Sequence, residues 1–389
     1  MRNQDTFDVA VIGAGVFGAW TAVQLQAAGA RVVLLDAYGP GNSRSSSGGE
    51  SRIIRMGYGP DESYTRSAKR SLELWQSFFS EIGAGQHAAV PLFYPTGVLW
   101  LAREGDLYSE ATLATLSRSG IAFARLDQKA LATRFPQIEL GPVSWGILEP
   151  NSGVLMARQA VRALVAHART LGVSYFEQPA LPPRTDGQLQ TIVTVAGKAI
   201  HAGAFVFACG PWLPALFPFL SELIHVTRQE VFFFGNPAKG SRFVASELPA
   251  WIDFNDLVYA IPDVDGRGFK IAIDAHGPAF DPDTGDRVVS DKGLKAVRDY
   301  LSQRLPSFMG SPLLEGRVCQ YENTSNGDFL LDRHPDFENV WLVGGGSGHG
   351  FKHGPAVGEY VAGLISGEVT VEPRFTLSSK TRIRERKVF

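Results

Sequence analysis

The chain has 389 residues, 44% of them hydrophobic and 20% charged, with a formal net charge of −2. That length implies two domains, or one large domain with an insertion, around a sizeable core. So small a net charge excludes a global field for nucleic acid or an anionic membrane.

No run of about 18 apolar residues occurs, so no membrane-spanning helix is expected. The apolar pattern starts at Phe7, which leaves no room for a signal peptide. Cys209 and Cys319 are too few for a disulfide framework. A reduced, cytoplasmic setting is expected. The basic tail from Lys380 to Lys387 reads as a solvated terminus.

Residues 7–12 form a short apolar strand, Gly13-x-Gly15-x-x-Gly18 opens an apolar helix to about 28, and 31–35 form a second strand ending at Asp36. The pattern is a βαβ unit with an acid 23 residues after Gly13, the spacing of a dinucleotide site. Gly13 permits the tight turn, Gly15 lets backbone approach a pyrophosphate, and Gly18 lets helix and strand pack. The helix N-terminus offers free N–H groups to phosphates. Asp36 can accept ribose hydrogen bonds.

Further on, helical periodicity covers 62–82, strands 91–101, two short helices 107–134, and a strand-to-helix passage 151–172. Residues 192–195 and 204–208 read as strands, the second ending in Cys209-Gly-Pro-Trp212. From 226 to 273 the texture is aromatic and β-rich, with strands at 231–234, 257–261 and 268–274. Asp265-Gly266 is a turn signal between the last two. A helix at 290–301, a buried strand at 340–343 and a helix at 355–365 with proline in its first turn complete the chain. The dinucleotide domain is therefore discontinuous: 1–90, 147–222 and 317–389, with 91–146 and 223–316 forming a substrate domain.

Several segments together resemble the D-amino-acid-oxidase superfamily of flavoproteins, and within it the monomeric sarcosine oxidase group with its N-methyl-amino-acid and pipecolate oxidases. They are the glycine fingerprint, Asp36, Ser51-Arg-Ile-Ile-Arg55, the Tyr259–Lys270 hairpin, Asp281-Pro-Asp-Thr284, Cys319-Gln-Tyr321 and Gly348-His-Gly-Phe-Lys352. The resemblance implies an α/β fold with α+β character. A discontinuous Rossmann-like FAD-binding domain would carry an inserted antiparallel β-sheet substrate domain flanked by helices. It implies FAD as cofactor, held by Gly13, Gly15, Gly18, Asp36, Cys319 and the Gly348-His349-Gly350-Phe351-Lys352 segment. It also implies a monomer acting on a small amino acid or amine with O₂, and no nucleic acid or membrane partner.

The resemblance further implies that Cys319 forms a thioether to the flavin 8α-methyl carbon, which needs a thiolate against an electron-poor ring. A free cysteine is otherwise a small core residue, and Cys209 keeps that assignment. Arg52 is placed against the flavin, and Arg55 and Lys352 on the substrate carboxylate, where a planar guanidinium gives paired charge-assisted bonds. Lys270 is tied to oxygen activation, since a fixed cation stabilises developing superoxide. Tyr259 and Tyr321 belong to the substrate pocket. His349 and His353 lie four apart, but their glycine-rich turn and the lack of a neighbouring acid argue against a metal site.

Two departures bear on substrate. Counted without gaps, pocket histidines of sarcosine oxidases are replaced by Gly48 and Asp274, although His276 lies two residues on. A larger pocket with a carboxylate suits a bulkier or cyclic secondary amino acid, a cationic amine or a basic side chain. No general base stands out, so the amine is taken to bind neutral. The expected reaction is oxidation of the C–N bond to an imine with O₂ reduced to hydrogen peroxide. The alternatives are a dehydrogenase passing electrons to a quinone or protein, a flavin scaffold without turnover, and a nicotinamide dehydrogenase.

Overall fold

The computed structural model describes residues 6–85, 87–183, 187–237 and 240–381, and the basic tail beyond Thr381 lies outside them. Two sheets dominate. The first is largely parallel, in the order Leu330–Arg333, Val340–Gly344, Ala199–Phe207, Thr6–Ile12, Val32–Asp36, Ser174–Glu177, with Thr191–Val193 also pairing Ala199–Phe207. Thr6–Ile12 is central, in parallel register with Ala199–Phe207 on one side and Val32–Asp36 on the other. Residues Val9 to Ile12 and Val32 to Leu35 are buried, so these strands read as continuous apolar runs.

The helix Val16–Ala27 packs on this sheet, and Gly354–Ser366 packs on that helix. Their close approach depends on Gly354 and Gly358. A Cβ at Gly354 would lie 2.4 Å from Val16 Cγ2, and one at Gly358 would lie 2.6 Å from the Trp20 backbone carbon.

The second sheet has eight strands, in the order Leu313–Thr324, Ile224–Phe234, Phe269–Ile273, Val258–Ile261, Ala250–Asp253, Val98–Ala102, Trp145–Glu149, Ala124–Asp127. Every pairing in it is antiparallel except Ala250–Asp253 with Val98–Ala102. Asp265 and Gly266, at φ 61° and 70°, make the left-handed turn that joins Val258–Ile261 to Phe269–Ile273, the conformation an Asp-Gly hairpin requires. The helix Asp291–Arg304 packs against this sheet, burying Val297 and Leu301. A small third sheet, Arg52–Ile54, Gly153–Leu155 and Phe93–Tyr94, lies apart from both.

The parallel sheet thus draws its strands from three separated stretches of chain. The divisions expected at 146/147 and 316/317 do not coincide with its limits. Trp145–Glu149 and Leu313–Thr324 run across them, and both belong to the eight-stranded sheet. Among the described residues no helix is long and apolar enough to cross a membrane.

Candidate functional site

A cleft opens at the carboxyl ends of the parallel strands, where ligands of open α/β sheets bind. Ile12, Asp36, Ala208 and Val343, each at or just past such an end, line it. Gly13 has φ 105°, and a Cβ there would meet Ala208 O at 2.3 Å. A Cβ at Gly18 would meet Gly13 O at 1.9 Å. Both glycines are therefore required by the protein's own packing. Gly15 differs: its Cβ would find only Ser47 Oγ, at 3.5 Å, so the space before it is left to a ligand. Asp36 accepts from Ala14 N at 2.7 Å and Tyr38 N at 2.9 Å, and burial raises its pKa. It holds the glycine turn from the rim of the cleft.

The opposite wall comes from Cys319, Gln320, Tyr321 and Glu322 of the long strand, with Gly344, Gly346, Gly348, Gly350 and Phe351. Glu322 Oε1 is buried with no hydrogen-bond partner, and burial pushes its carboxyl up to about 7. A bare carboxyl oxygen and an open face at Gly15 are what a bound polar dinucleotide would fill. The residues present fit FAD. Cys209, expected in the core, packs against the core and also lines this cleft, with Sγ 3.3 Å from Ile12 O.

A second pocket adjoins the first, and Arg52, Cys319, Tyr321 and Gly348 line both. Arg52 Nη2 donates to Ser46 O at 2.9 Å and lies 3.5 Å from Cys319 Sγ. Gly348, at φ 78°, is where a Cβ would strike the Tyr321 ring at 2.9 Å.

Arg55 and Lys352 line the second pocket, and both are buried. The Arg55 guanidinium sits 4.4 Å from the Tyr58 ring centre and 5.2 Å from that of Phe254, and it donates to Gly57 O. Lys352 Nζ donates to Tyr58 OH at 2.8 Å and His349 O at 3.0 Å. Burial, and then repulsion from Arg55, holds the Lys352 ammonium well below its usual pKa. A substrate carboxylate would relieve both effects. Asp274 lines the same pocket and accepts from Tyr321 OH at 2.6 Å. Its pKa is raised to about 6, chiefly by burial, against the hydrogen bond from Tyr321 and the charges of Arg55 and Lys352. Ile252, Phe254, Val231 and Ile273 supply apolar walls.

Some expected contacts fall elsewhere. Lys270 is buried just behind the pocket walls: its Nζ donates to Ser51 O at 2.7 Å and lies 5.8 Å from the Tyr259 ring centre, and burial followed by Arg52 repulsion lowers its pKa well below the ordinary value. His349 and Lys352, expected among cofactor contacts, line the second pocket, while Gly350 and Phe351 of the same segment line the first. Gly48 lines neither pocket. A Cβ there would meet Asn42 O at 1.8 Å, so its smallness serves a tight turn and does not enlarge the substrate site. Tyr259 does line the pocket, and burial raises its pKa.

Tyr58 and Glu149 are the functional residues that the motifs do not reveal. The Tyr58 hydroxyl bonds Lys352 Nζ, His353 Nε2 at 2.7 Å and His349 Nδ1 at 3.2 Å. His353 also bonds Ser67 Oγ at 2.9 Å. Glu149 accepts from Met56 N at 2.7 Å, Gly57 N at 3.1 Å and Trp100 Nε1 at 2.8 Å, fixing the backbone that follows Arg55. Neither stands out in the sequence: Tyr58 lies between two glycines, and Glu149 ends the run Trp145-Gly-Ile-Leu.

The family described as FAD dependent oxidoreductase matches residues 8–364. The chain is 32% identical to monomeric sarcosine oxidase of Streptomyces avermitilis over 378 residues, covering 95% of this chain and 96% of that protein. It is 30% identical to N-methyl-L-tryptophan oxidase of Salmonella heidelberg over 385 residues, covering 96% and 97%. The crystal structure of L-proline dehydrogenase from P. horikoshii superposes with a TM-score of 0.83 at 21% identity, covering 98% of this chain and all of that one. That likeness extends through both sheets, and with the glycine turn, Asp36 and the bare Glu322 oxygen it completes the case: the chain belongs to the FAD-dependent oxidoreductase (DAO) family.

Proposed function

We propose that the protein is a flavin amine or amino-acid oxidase that oxidises the C–N bond of a secondary, N-methyl or cyclic, amino acid to an imine, with O₂ reduced to hydrogen peroxide. The pairing of Arg55 and Lys352, buried in one pocket beside the cofactor cleft, carries this reading. Similarity to sarcosine and N-methyl-L-tryptophan oxidases over more than nine-tenths of the chain supports it.

The parallel-sheet half would hold FAD, through Gly13, Gly15, Gly18 and Asp36 on one wall and Cys319, Gly348, Gly350 and Phe351 on the other. Bound FAD supplies the hydride acceptor. The eight-stranded sheet contributes Asp274, Tyr259 and Tyr321 to the substrate side. Arg55 offers a planar fork and Lys352 a point charge, so a carboxylate is fixed in position and angle. Such fixing can supply several kcal/mol of the barrier. Ile252, Phe254 and Val231 suit a side chain larger than hydrogen. The Arg52 guanidinium 3.5 Å from Cys319 Sγ supports covalent attachment of the flavin through that sulfur. A single chain furnishes every group named, which fits a monomer.

Mixing the purified protein without air with N-methyl, cyclic and primary amino acids tests the reading. Loss of the oxidised-flavin absorbance with secondary amino acids is the expected result. Absence of bleaching by any amino acid would overturn the carboxylate clamp. A second reading is a dehydrogenase with a non-oxygen acceptor. Reoxidation of the bleached protein by a quinone but not by air would establish it.

A further inference from the structure

Resting on the amino-acid oxidase reading, we infer that Asp274 is a catalytic residue: its carboxylate takes the proton from the substrate's ammonium group, and the Tyr321 hydroxyl holds it in place for that transfer. Amino acids are ammonium zwitterions near neutral pH. An ammonium cannot expel hydride, because its nitrogen lone pair is bound to the proton. Something must remove that proton, and the motifs offer no base for it.

The pocket supplies one. Its titratable and charged side chains come from several parts of the fold, with Arg52 and Cys319 at its junction with the first cleft. Arg55 follows the Arg52–Ile54 strand, Lys352 and His349 come from the turn before the last long helix, Tyr321 from Leu313–Thr324, and Tyr259 from Val258–Ile261. Glu230 also lines the pocket, but it is occupied by Arg228 at 2.9 Å and by Ser290 N at 2.7 Å. Arg55 and Lys352 are assigned to the substrate carboxylate, whose negative charge would favour the ammonium form of Lys352 against burial and Arg55. Burial disfavours ionisation of Tyr259 and Tyr321. Both His349 ring nitrogens are engaged, by Tyr58 OH and Gly327 O at 3.2 Å each, so among the described residues lining the pocket Asp274 is the carboxylate that no salt bridge engages. Its Oδ1 takes the Tyr321 hydrogen bond at 2.6 Å, which leaves lone pairs on Oδ2 for the substrate. Its titration near 6 makes it a carboxylate at neutral pH that still binds a proton readily.

The balance is simple. The N–H bond of the ammonium breaks and an O–H bond forms on Asp274. The freed lone pair forms the C=N bond as hydride leaves with its electron pair to the flavin. A secondary amine thus leaves as a cationic imine, and Asp274 returns its proton to solvent.

The experiment is the pH dependence of anaerobic flavin bleaching by a saturating N-methyl or cyclic amino acid, in wild type, D274N, D274E and Y321F that retain the wild-type flavin spectrum. In wild type the rate should rise with pH and level off above the Asp274 titration. D274N should be slowed at least tenfold at pH 7 and recover toward pH 9.5, where free amine is present. D274E should restore most of the rate. Y321F should move the wild-type rise to higher pH, since losing a donor to the carboxylate raises its pKa. Identical profiles in wild type and D274N would overturn the inference and leave the oxidase reading standing. No bleaching of wild type at any pH would overturn both.

Discussion

The environment of Cys319 decides whether its sulfur is inert or a nucleophile. Arg52 Nη2 stands 3.5 Å from Sγ, and the sulfur lines both adjoining pockets. A sulfur so placed lies within reach of a ring bound in the cleft. Acid precipitation of wild type should therefore leave yellow flavin in the pellet, and Cys319→Ala should release it to the supernatant. Free flavin from wild type would show that no bond forms. Cys209 makes the contrast: it faces the same cleft, but burial raises its pKa well above the usual value, with Asp36 and Glu322 adding to the effect. Arg55, Lys352 and Cys319 were legible because each sits in a short motif. Tyr58 and Glu149 were not, since their role comes from partners 294 and 93 residues away. Only tertiary packing brings such pairs together.

Regular elements were legible where one period ran uninterrupted. The amphipathic helix Glu62–Glu81 starts at Asp61, which caps Tyr64 N, and it buries Leu72, Trp75 and Phe79 along one face. Leu313–Thr324 was not anticipated, because its burial alternates weakly and its partner Ile224–Phe234 lies about 90 residues earlier. The segment 107–134, expected as two helices, holds the strand Ala124–Asp127 between them. Four residues are too few to show a period. Helix packing was equally hidden: nothing in Gly354-x-x-x-Gly358 says which helix it meets until Val16 and Trp20 are placed. Gly358→Ala should favour the isolated helix by roughly 1 kcal/mol. Overpacking costs about 1–3 kcal/mol, and at 2.6 Å from Trp20 backbone the clash should win. A lowered thermal midpoint is expected. Gly363→Ala, whose nearest neighbour is a movable Val369 methyl at 3.1 Å, should be milder. Equal midpoints for the two variants would show that this contact does not limit stability.

At the scale of the molecule, the βαβ signal announced the parallel sheet, but nothing local announced how distant segments close around it. Strands from 6–36, 174–207 and 330–344 must be brought together, and the last described segment helps to tie them. Arg374 donates to Asp61 at 2.6 and 2.9 Å and to Asp328 at 2.7 Å, and lies 4.5 Å from the Tyr64 ring centre. One guanidinium thus joins the cap of the Glu62–Glu81 helix to the loop before Leu330–Arg333. The Asp328 side chain is only 1% exposed, whereas Arg374 and Asp61 retain 20% and 22%. Breaking a fully buried pair costs about 3–5 kcal/mol because a charge is stranded. With two of the three groups partly solvated, the low end, about 3 kcal/mol, applies here. Arg374→Ala should therefore lower the thermal midpoint, compared with wild type at one fixed scan rate. Arg374→Lys keeps the charge but loses the fork that spans two carboxylates, so it should fall between wild type and alanine. An alanine variant with the wild-type midpoint would show that the segment rests on the fold without securing it.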